Sequence, residues 1–130
     1  MTNYRLGDRQ LSVILERLEE KEGIDISNKS IVEQIEDIKK YLLEIVELEE
    51  NILFSEWWKR GTQLAATARK ISVILCYNLC TKDTILISNH VGCSEARVKE
   101  MIRPWEKWWQ HQLNTAIKAF KEKINNKKES

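Results

Sequence analysis

Three cysteines and one histidine in the second half of the chain carry side chains that proteins use to bind zinc. Cys76, Cys80, His90 and Cys93 form the pattern C-x3-C-x9-H-x2-C. Cys76 and Cys80 are four residues apart, so they share one face of a helix, and chelation by this pair is conceivable. The spacing matches no zinc module, however, and buried free cysteines explain the set with fewer assumptions. We therefore predict no metal site, with zinc as the less favoured alternative.

No combination of residues indicates an enzyme. His111 stands alone on the last helix, and no Ser/His/Asp order or Cys/His pair points to an activated nucleophile. The four glycines are scattered, so the chain has no glycine-rich loop that could bind phosphate. The sequence therefore predicts a protein that is not an enzyme and needs no cofactor.

One short stretch has the pattern of two helices joined by a tight turn. Residues 84–102 read TILISNHVGCSEARVKEMI. Ser88 is small enough for a second helix to cross there, and Gly92 can take the left-handed conformation that the turn needs. Ser94 can cap the second helix. The positions that must face inward are all apolar, namely Val91, Cys93, Val98 and Met101.

This stretch resembles the helix-turn-helix of repressors and sigma factors, and the resemblance is limited to residues 84–102 with a supporting helix from Thr62. In that family the second helix lies in the major groove and its exposed residues meet base edges. Paired copies would suit two-fold DNA sites. The resemblance implies that double-stranded DNA is contacted, at bases or phosphates, by Asn89, His90, Ser94, Glu95, Ala96, Arg97, Lys99, Glu100 and Arg103.

The stretch also departs from the family pattern. Ser88 stands where alanine is commoner, and Glu95 and Glu100 lie on the helix face that would meet DNA. A carboxylate can accept a hydrogen bond from cytosine, but it also repels phosphate. Non-specific affinity would therefore depend on flanking cations, which are Lys59, Arg60, Arg69, Lys70, Lys118, Lys121, Lys123, Lys127 and Lys128. The alternative interpretation is a tight helical corner with no role in DNA binding.

Five tryptophans form two clusters, one at 57–58 and one at 105–109. Adjacent residues diverge by about 100° around a helix, so both members of a pair cannot be central in one core. Trp57, Trp105 and Trp109 fit the inward stripes of their helices. Trp58 and Trp108 are predicted at the edge or surface, where they would anchor a protein partner or stack on a base. The alternative is that both half-cover the core.

Apolar spacing and capping residues predict an all-α fold. Ser30 and Glu33 form a capping box at the start of the second helix. Apolar residues at heptad spacing follow, which favours packing within a bundle or a homodimer through residues 31–53. The expected elements are helices at 9–22, 31–60 and 62–80, two short segments within 84–102, a last helix from Trp105, a connection at 23–29 and a disordered tail at 126–130.

The length of 130 residues predicts one helical domain, a bundle of about four main helices with a helix-turn-helix corner in its C-terminal half. Charge divides the chain: residues 1–56 carry 7 basic and 14 acidic side chains, whereas residues 57–130 carry 14 and 6. The acidic region, 1–60, would be a scaffold or dimerisation arm, and the basic region, 61–125, would bind the partner. The alternative is that the two halves simply attract each other.

No apolar segment of signal-peptide type opens the chain, and no apolar run approaches the length of a membrane span. We expect a soluble protein of the reducing cytoplasm, or of the host cytoplasm or virion if it is viral, without a membrane partner. The Ile-, Lys- and Glu-rich composition hints at an AT-rich genome, such as that of a mobile element. The predicted function is DNA binding by a transcriptional regulator. The alternative is a structural or protein-interaction bundle, such as a virion component or a factor that binds the transcription machinery.

Overall fold

Seven helices and two very short strands make up the part of the chain that the structure describes. The computed structural model describes residues 8–54, 63–103 and 107–125. The helices pack on one another and the strands pair, so the prediction of an all-α bundle is confirmed. The elements are α1 (Asp8–Glu20), β1 (Ile24–Asp25), α2 (Ile31–Val46), α3 (Glu50–Leu53), α4 (Gln63–Leu79), α5 (Thr84–Val91), α6 (Glu95–Met101), α7 (Lys107–Lys123) and β2 (Ile124–Asn125).

Helix α4 lies at the centre of the bundle and contacts α1, α2, α3, α5, α6 and α7. A helix that is apolar around most of its circumference is stable only where neighbours cover it. The fully buried apolar residues of α4 are Ala65, Ala68, Ile71, Val73, Leu75 and Cys76. Helix α4 is therefore the support on which α5 and α6 are placed.

The second helix starts as predicted but ends early. The Oγ atom of Ser30 accepts a hydrogen bond from the Glu33 N–H at 3.2 Å, and Glu33 Oε1 accepts one from the Ser30 N–H at 3.0 Å. This capping box is confirmed. Helix α2 ends at Val46 because Glu47 takes the left-handed conformation, with φ 58° and ψ 41°.

The break after α2 lets α3 return to α4. Leu53 and Phe54 are buried in the core, and the buried Arg69 donates its Nε–H to the carbonyl oxygen of Leu53 at 2.6 Å. A straight continuation of α2 would not return these residues to α4. The prediction of a single helix over 31–60 is therefore wrong after Val46. Residues 55–60 lie outside the described part.

The heptad residues of α2 pack inside the chain. Those with at most 2 % of their surface exposed are Ile35, Ile38, Leu42 and Ile45. Ile31, in the first turn, is exposed. The structure thus uses the heptads for packing within one bundle. A homodimer through residues 31–53 stays a prediction, and it would have to form without the four buried side chains.

A two-stranded parallel ladder joins the connection after α1 to the end of the described chain, where the sequence predicts no strands. Ile24 is paired with Ile124, and the Ile26 N–H donates to the Asn125 carbonyl oxygen at 3.0 Å. The Lys123 ammonium donates to the Lys21 carbonyl oxygen at 2.6 Å. The last helix therefore ends at Lys123, and the backbone at Ile124 pairs with β1 instead.

No helix within the described ranges is long and apolar enough to cross a membrane. The predicted tail, 126–130, lies outside those ranges. Thr62, the predicted start of the third helix, lies outside them as well.

Candidate nucleic-acid interface

Helices α5 and α6 meet at a tight turn. Three local residues, Asp83, Ser88 and Gly92, determine the geometry of this part of the chain. Asp83 caps α5, since its Oδ1 accepts from the N–H groups of Ile85 and Leu86 at 3.1 and 3.2 Å. Gly92 takes the left-handed conformation, with φ 79° and ψ 30°, and donates its N–H to the Ser88 carbonyl oxygen at 3.0 Å. The left-handed conformation predicted for Gly92 is confirmed, and Ser88 is buried.

The second helix begins at its predicted cap. The Ser94 Oγ atom accepts a hydrogen bond from the Arg97 N–H at 3.1 Å. Val91 and Val98 are fully buried, and Met101 is half-buried. Cys93 is also half-buried, and burial raises the pKa of its thiol despite the opposing charges of Arg69 and Arg97, so a neutral side chain fills the turn.

The opposite face of α6 points to solvent. Ser94, Ala96, Lys99, Glu100 and Arg103 are all exposed, while Glu95 and Arg97 are partly covered. No other described element packs over the five exposed residues. We call this surface the α6 face. It has the exposure that insertion into a DNA groove requires.

Ion pairs within α6 reduce the free charge of this face. Arg97 Nη1 lies 3.0 Å from Glu100 Oε1, and Lys99 Nζ lies 3.5 Å from Glu95 Oε2. The Thr84 hydroxyl also donates to Glu95 Oε2 at 2.7 Å, and this hydrogen bond lowers the pKa of Glu95. Glu95 therefore ties the start of α6 to the start of α5. The sequence places both acids on this face but does not reveal their partners.

Asn89 is exposed near the end of α5, as a phosphate-contacting residue must be. His90 is only half-exposed, because its Nδ1 lies 2.7 Å from Oε2 of Glu36 on α2. Burial alone would raise the pKa of Glu36, but hydrogen bonds from His90 and Lys39 and their charges lower it overall. The His90 side chain is therefore bound within its own chain by Glu36, and its contact with a phosphate stays a prediction. Its partner is 54 residues away in the sequence, and no local pattern reveals it.

Two of the flanking cations predicted to neutralise phosphate are buried instead. Arg69 is 1 % exposed and Lys70 is 5 % exposed. Lys70 Nζ donates to the Met101 carbonyl oxygen at 2.6 Å, at the C-terminal end of α6. Burial lowers the pKa of Lys70 to about 7, although the nearby Glu100 opposes this shift. Lys70 thus supports α6 from behind, a role that residue type and spacing do not indicate.

The remaining flanking cations differ in their exposure. Lys118 and Lys121 are exposed on α7, and neither forms an ion pair with any described residue. Lys123 is half-buried, since it binds the Lys21 carbonyl oxygen. The other four, Lys59, Arg60, Lys127 and Lys128, lie outside the described residues.

Trp57, Trp58 and Trp105 lie outside the described residues. Trp108 and Trp109 belong to α7, but their side chains are not among those described. The predicted protein-partner roles of Trp58 and Trp108 therefore stay predictions.

The cysteines and histidine do not come together as a metal centre. Cys76 on α4 and Cys80, just after its end, are buried, and their hydrogen bond, followed by burial, raises the pKa of the Cys76 thiol. His90 faces Glu36, and Cys93 fills the turn between α5 and α6. Among the described residues, no group of three or more His, Cys, Asp or Glu side chains could hold a metal ion.

Comparison with protein-family models finds no match, and no curated protein or solved structure is significantly similar to this chain. The α6 face must therefore be interpreted from its geometry and charge. Of the residues that the resemblance implies, the structure brings Ser94, Ala96, Lys99, Glu100 and Arg103 to one exposed surface.

Proposed function

We propose that this chain binds double-stranded DNA through α5 and α6, with α6 in the major groove. The observation that carries the proposal is the α6 face, a solvent-exposed helix surface that follows a left-handed glycine and a serine cap. Helix α4 supports both helices from behind. A transcriptional regulator is the role that this arrangement fits best.

Residues of the α6 face would divide into two classes by position. Ser94, Ala96 and Lys99, near the start and middle of the helix, would meet base edges. Arg103, which follows the helix and has no ion pair among the described residues, would meet a phosphate, as would the exposed Asn89. Lys118 and Lys121 lie on the neighbouring helix and would add to the attraction of the duplex.

Fluorescence anisotropy with a labelled random-sequence duplex, followed by selection of a preferred site, tests the proposal. We expect binding that weakens as salt is added, because phosphate contacts release counterions. Arg103→Ala should reduce affinity by about tenfold and lower the salt slope by about 1. Lys40→Ala, which removes an exposed charge from α2, is the matched control and should change neither quantity. Absence of any complex at low salt would overturn the proposal.

A second candidate function is docking of a protein partner on the same face. The two ion pairs within α6 favour it, because they leave the face with little net charge for phosphate. A photo-cross-linking amino acid at the position of Ala96 separates the two functions in cells. Adducts with DNA would support the regulator, whereas adducts with one protein and none with DNA would support the docking role.

A further inference from the structure

A second surface feature lies beside the end of α6 and is distinct from the α6 face. Helices α4 and α7, together with the residues just after α6, enclose an open cavity of about 430 Å³. Cavities that bind small molecules commonly have volumes of about 300–1,000 Å³. The cavity is therefore large enough for a small organic molecule.

The cavity has an apolar floor and a polar rim. Along α7, residues 110, 113, 114, 117, 118 and 121 recur on one face and line the cavity. Leu113 and Ile117 are buried at its base, and Ile74 of α4 closes the floor. The amide side chains of Asn78 and Asn114 lie higher, where they are exposed.

The rim carries three cations, and none of the described residues that line the cavity is an acid. Arg103, Lys118 and Lys121 are exposed, and none of them has an ion pair with a described residue. A smaller cavity, of about 210 Å³, gives a contrast within the same chain. It is lined by acids as well as bases, and there Lys29 is already paired with Asp37. The smaller cavity thus carries acids beside its bases, whereas no described residue that lines the larger cavity is acidic.

We propose that this cavity binds a small amphipathic anion, with an apolar body on the floor and a carboxylate or phosphate group at the rim. Inorganic phosphate would use the rim but leave the floor in contact with water. An uncharged apolar molecule would use the floor but not the cations. Only a ligand with both parts matches the whole lining.

The site adjoins the DNA-binding surface through one shared residue. Arg103 lines the cavity and also lies on the α6 face. Binding of the anion itself does not rest on the proposed DNA-binding function. Where both hold, a bound anion would compete with a phosphate of the duplex for Arg103.

Isothermal titration of the full chain with decanoate, decyl phosphate, decanol and inorganic phosphate tests the site. We expect one saturable site for the two amphipathic anions, at least tenfold weaker binding of decanol, and no measurable binding of inorganic phosphate. Lys118→Met and Lys121→Met should each weaken decanoate binding by about three- to tenfold. Lys40→Met, an exposed change on α2, should leave it unchanged, and circular dichroism should confirm that all variants fold.

Three results would overturn the inference. Equal affinity for decanol and decanoate would show simple apolar partitioning. Equal affinity for decanoate and inorganic phosphate would show that only the rim binds. Loss of DNA affinity in Lys118→Met and Lys121→Met with decanoate binding intact would assign the two lysines to the duplex. A failure of DNA binding with intact decanoate binding would instead reject only the regulator function.

Discussion

The ammonium group of Lys70 donates a hydrogen bond to the carbonyl oxygen of Met101 across 2.6 Å, and this bond attaches the last turn of α6 to α4. The last carbonyl groups of a helix have no partner within the helix. Lys70 supplies one from a buried position, which fixes the end of α6 relative to the rest of the bundle. The orientation of the α6 face therefore depends on a side chain that DNA cannot touch.

Lys70 should make the free energy of unfolding depend on pH. Its pKa in the folded state is about 7, whereas an unfolded lysine has the ordinary value of 10.5. Between these values the unfolded state binds more protons, so stability should rise with pH by about 1.4 kcal/mol per unit at most. Below pH 7 this contribution to the slope should vanish.

Urea unfolding of wild type and Lys70→Met between about pH 6 and 8.5 measures this effect. When the pH slope of the variant is subtracted from that of wild type, the contributions of groups that titrate in both proteins, including the cysteine thiols, are removed. We expect a steeper rise for wild type above pH 7 and a flatter curve for the variant. Parallel curves would show that Lys70 keeps an ordinary pKa.

Glu100→Gln should tighten DNA binding. The substitution removes a carboxylate that repels phosphate and releases Arg97 from its ion pair at 3.0 Å. We expect about three- to tenfold higher affinity at low salt, measured by anisotropy, and a smaller gain at high salt. Glu44→Gln is the control. It breaks the ion pair between Glu44 on α2 and Lys21, and it should not change DNA affinity. A loss of affinity in Glu100→Gln would assign Glu100 to base contact instead.

Gly92→Ala should strain the turn between α5 and α6. Any residue with a Cβ atom pays a conformational cost at φ 79°, about 1–2 kcal/mol for alanine. Gly92→Asn should cost less, because asparagine adopts the left-handed conformation more readily. Chemical unfolding of both variants measures the two losses. Equal stability of wild type and Gly92→Ala would contradict the turn geometry.

Gly23→Ala should separate β1 from β2. A methyl group at this position would run into the backbone carbonyl of Lys123, which cannot move without the strand that follows it. We expect a loss of about 1–3 kcal/mol in unfolding free energy and faster hydrogen exchange at the Ile26 amide. Glu22→Ala, at the exposed neighbouring position, is the control. Unchanged exchange in Gly23→Ala would mean that the ladder does not form.

Features that depend on neighbours in the sequence could be predicted. The capping box of Ser30 and Glu33, the glycine turn at Gly92 and the cap at Ser94 each act over a few residues, so residue type and spacing suffice. The exposed side of α6 follows from the same reasoning, because Val98 must face inward.

Features that depend on distant parts of the chain could not be predicted. Glu47 ends α2 in the left-handed conformation, which glutamate does not favour. The packing of α3 against α4 offsets the conformational cost. The two strands have two residues each, too few for an alternating pattern to be visible. Lys70 and His90 have the appearance of solvated charges in the sequence, and only packing against other helices gives them partners.

Nuclear magnetic resonance spectra of the isotope-labelled chain, titrated with its selected duplex at low salt, test the central claim most directly. If α6 enters the groove, the backbone amide signals of Ser94, Ala96, Lys99 and Arg103 should shift most, and those of α1 should stay in place. Shifts confined to α1 and α2, or no shift at any DNA concentration, would contradict DNA binding by α6.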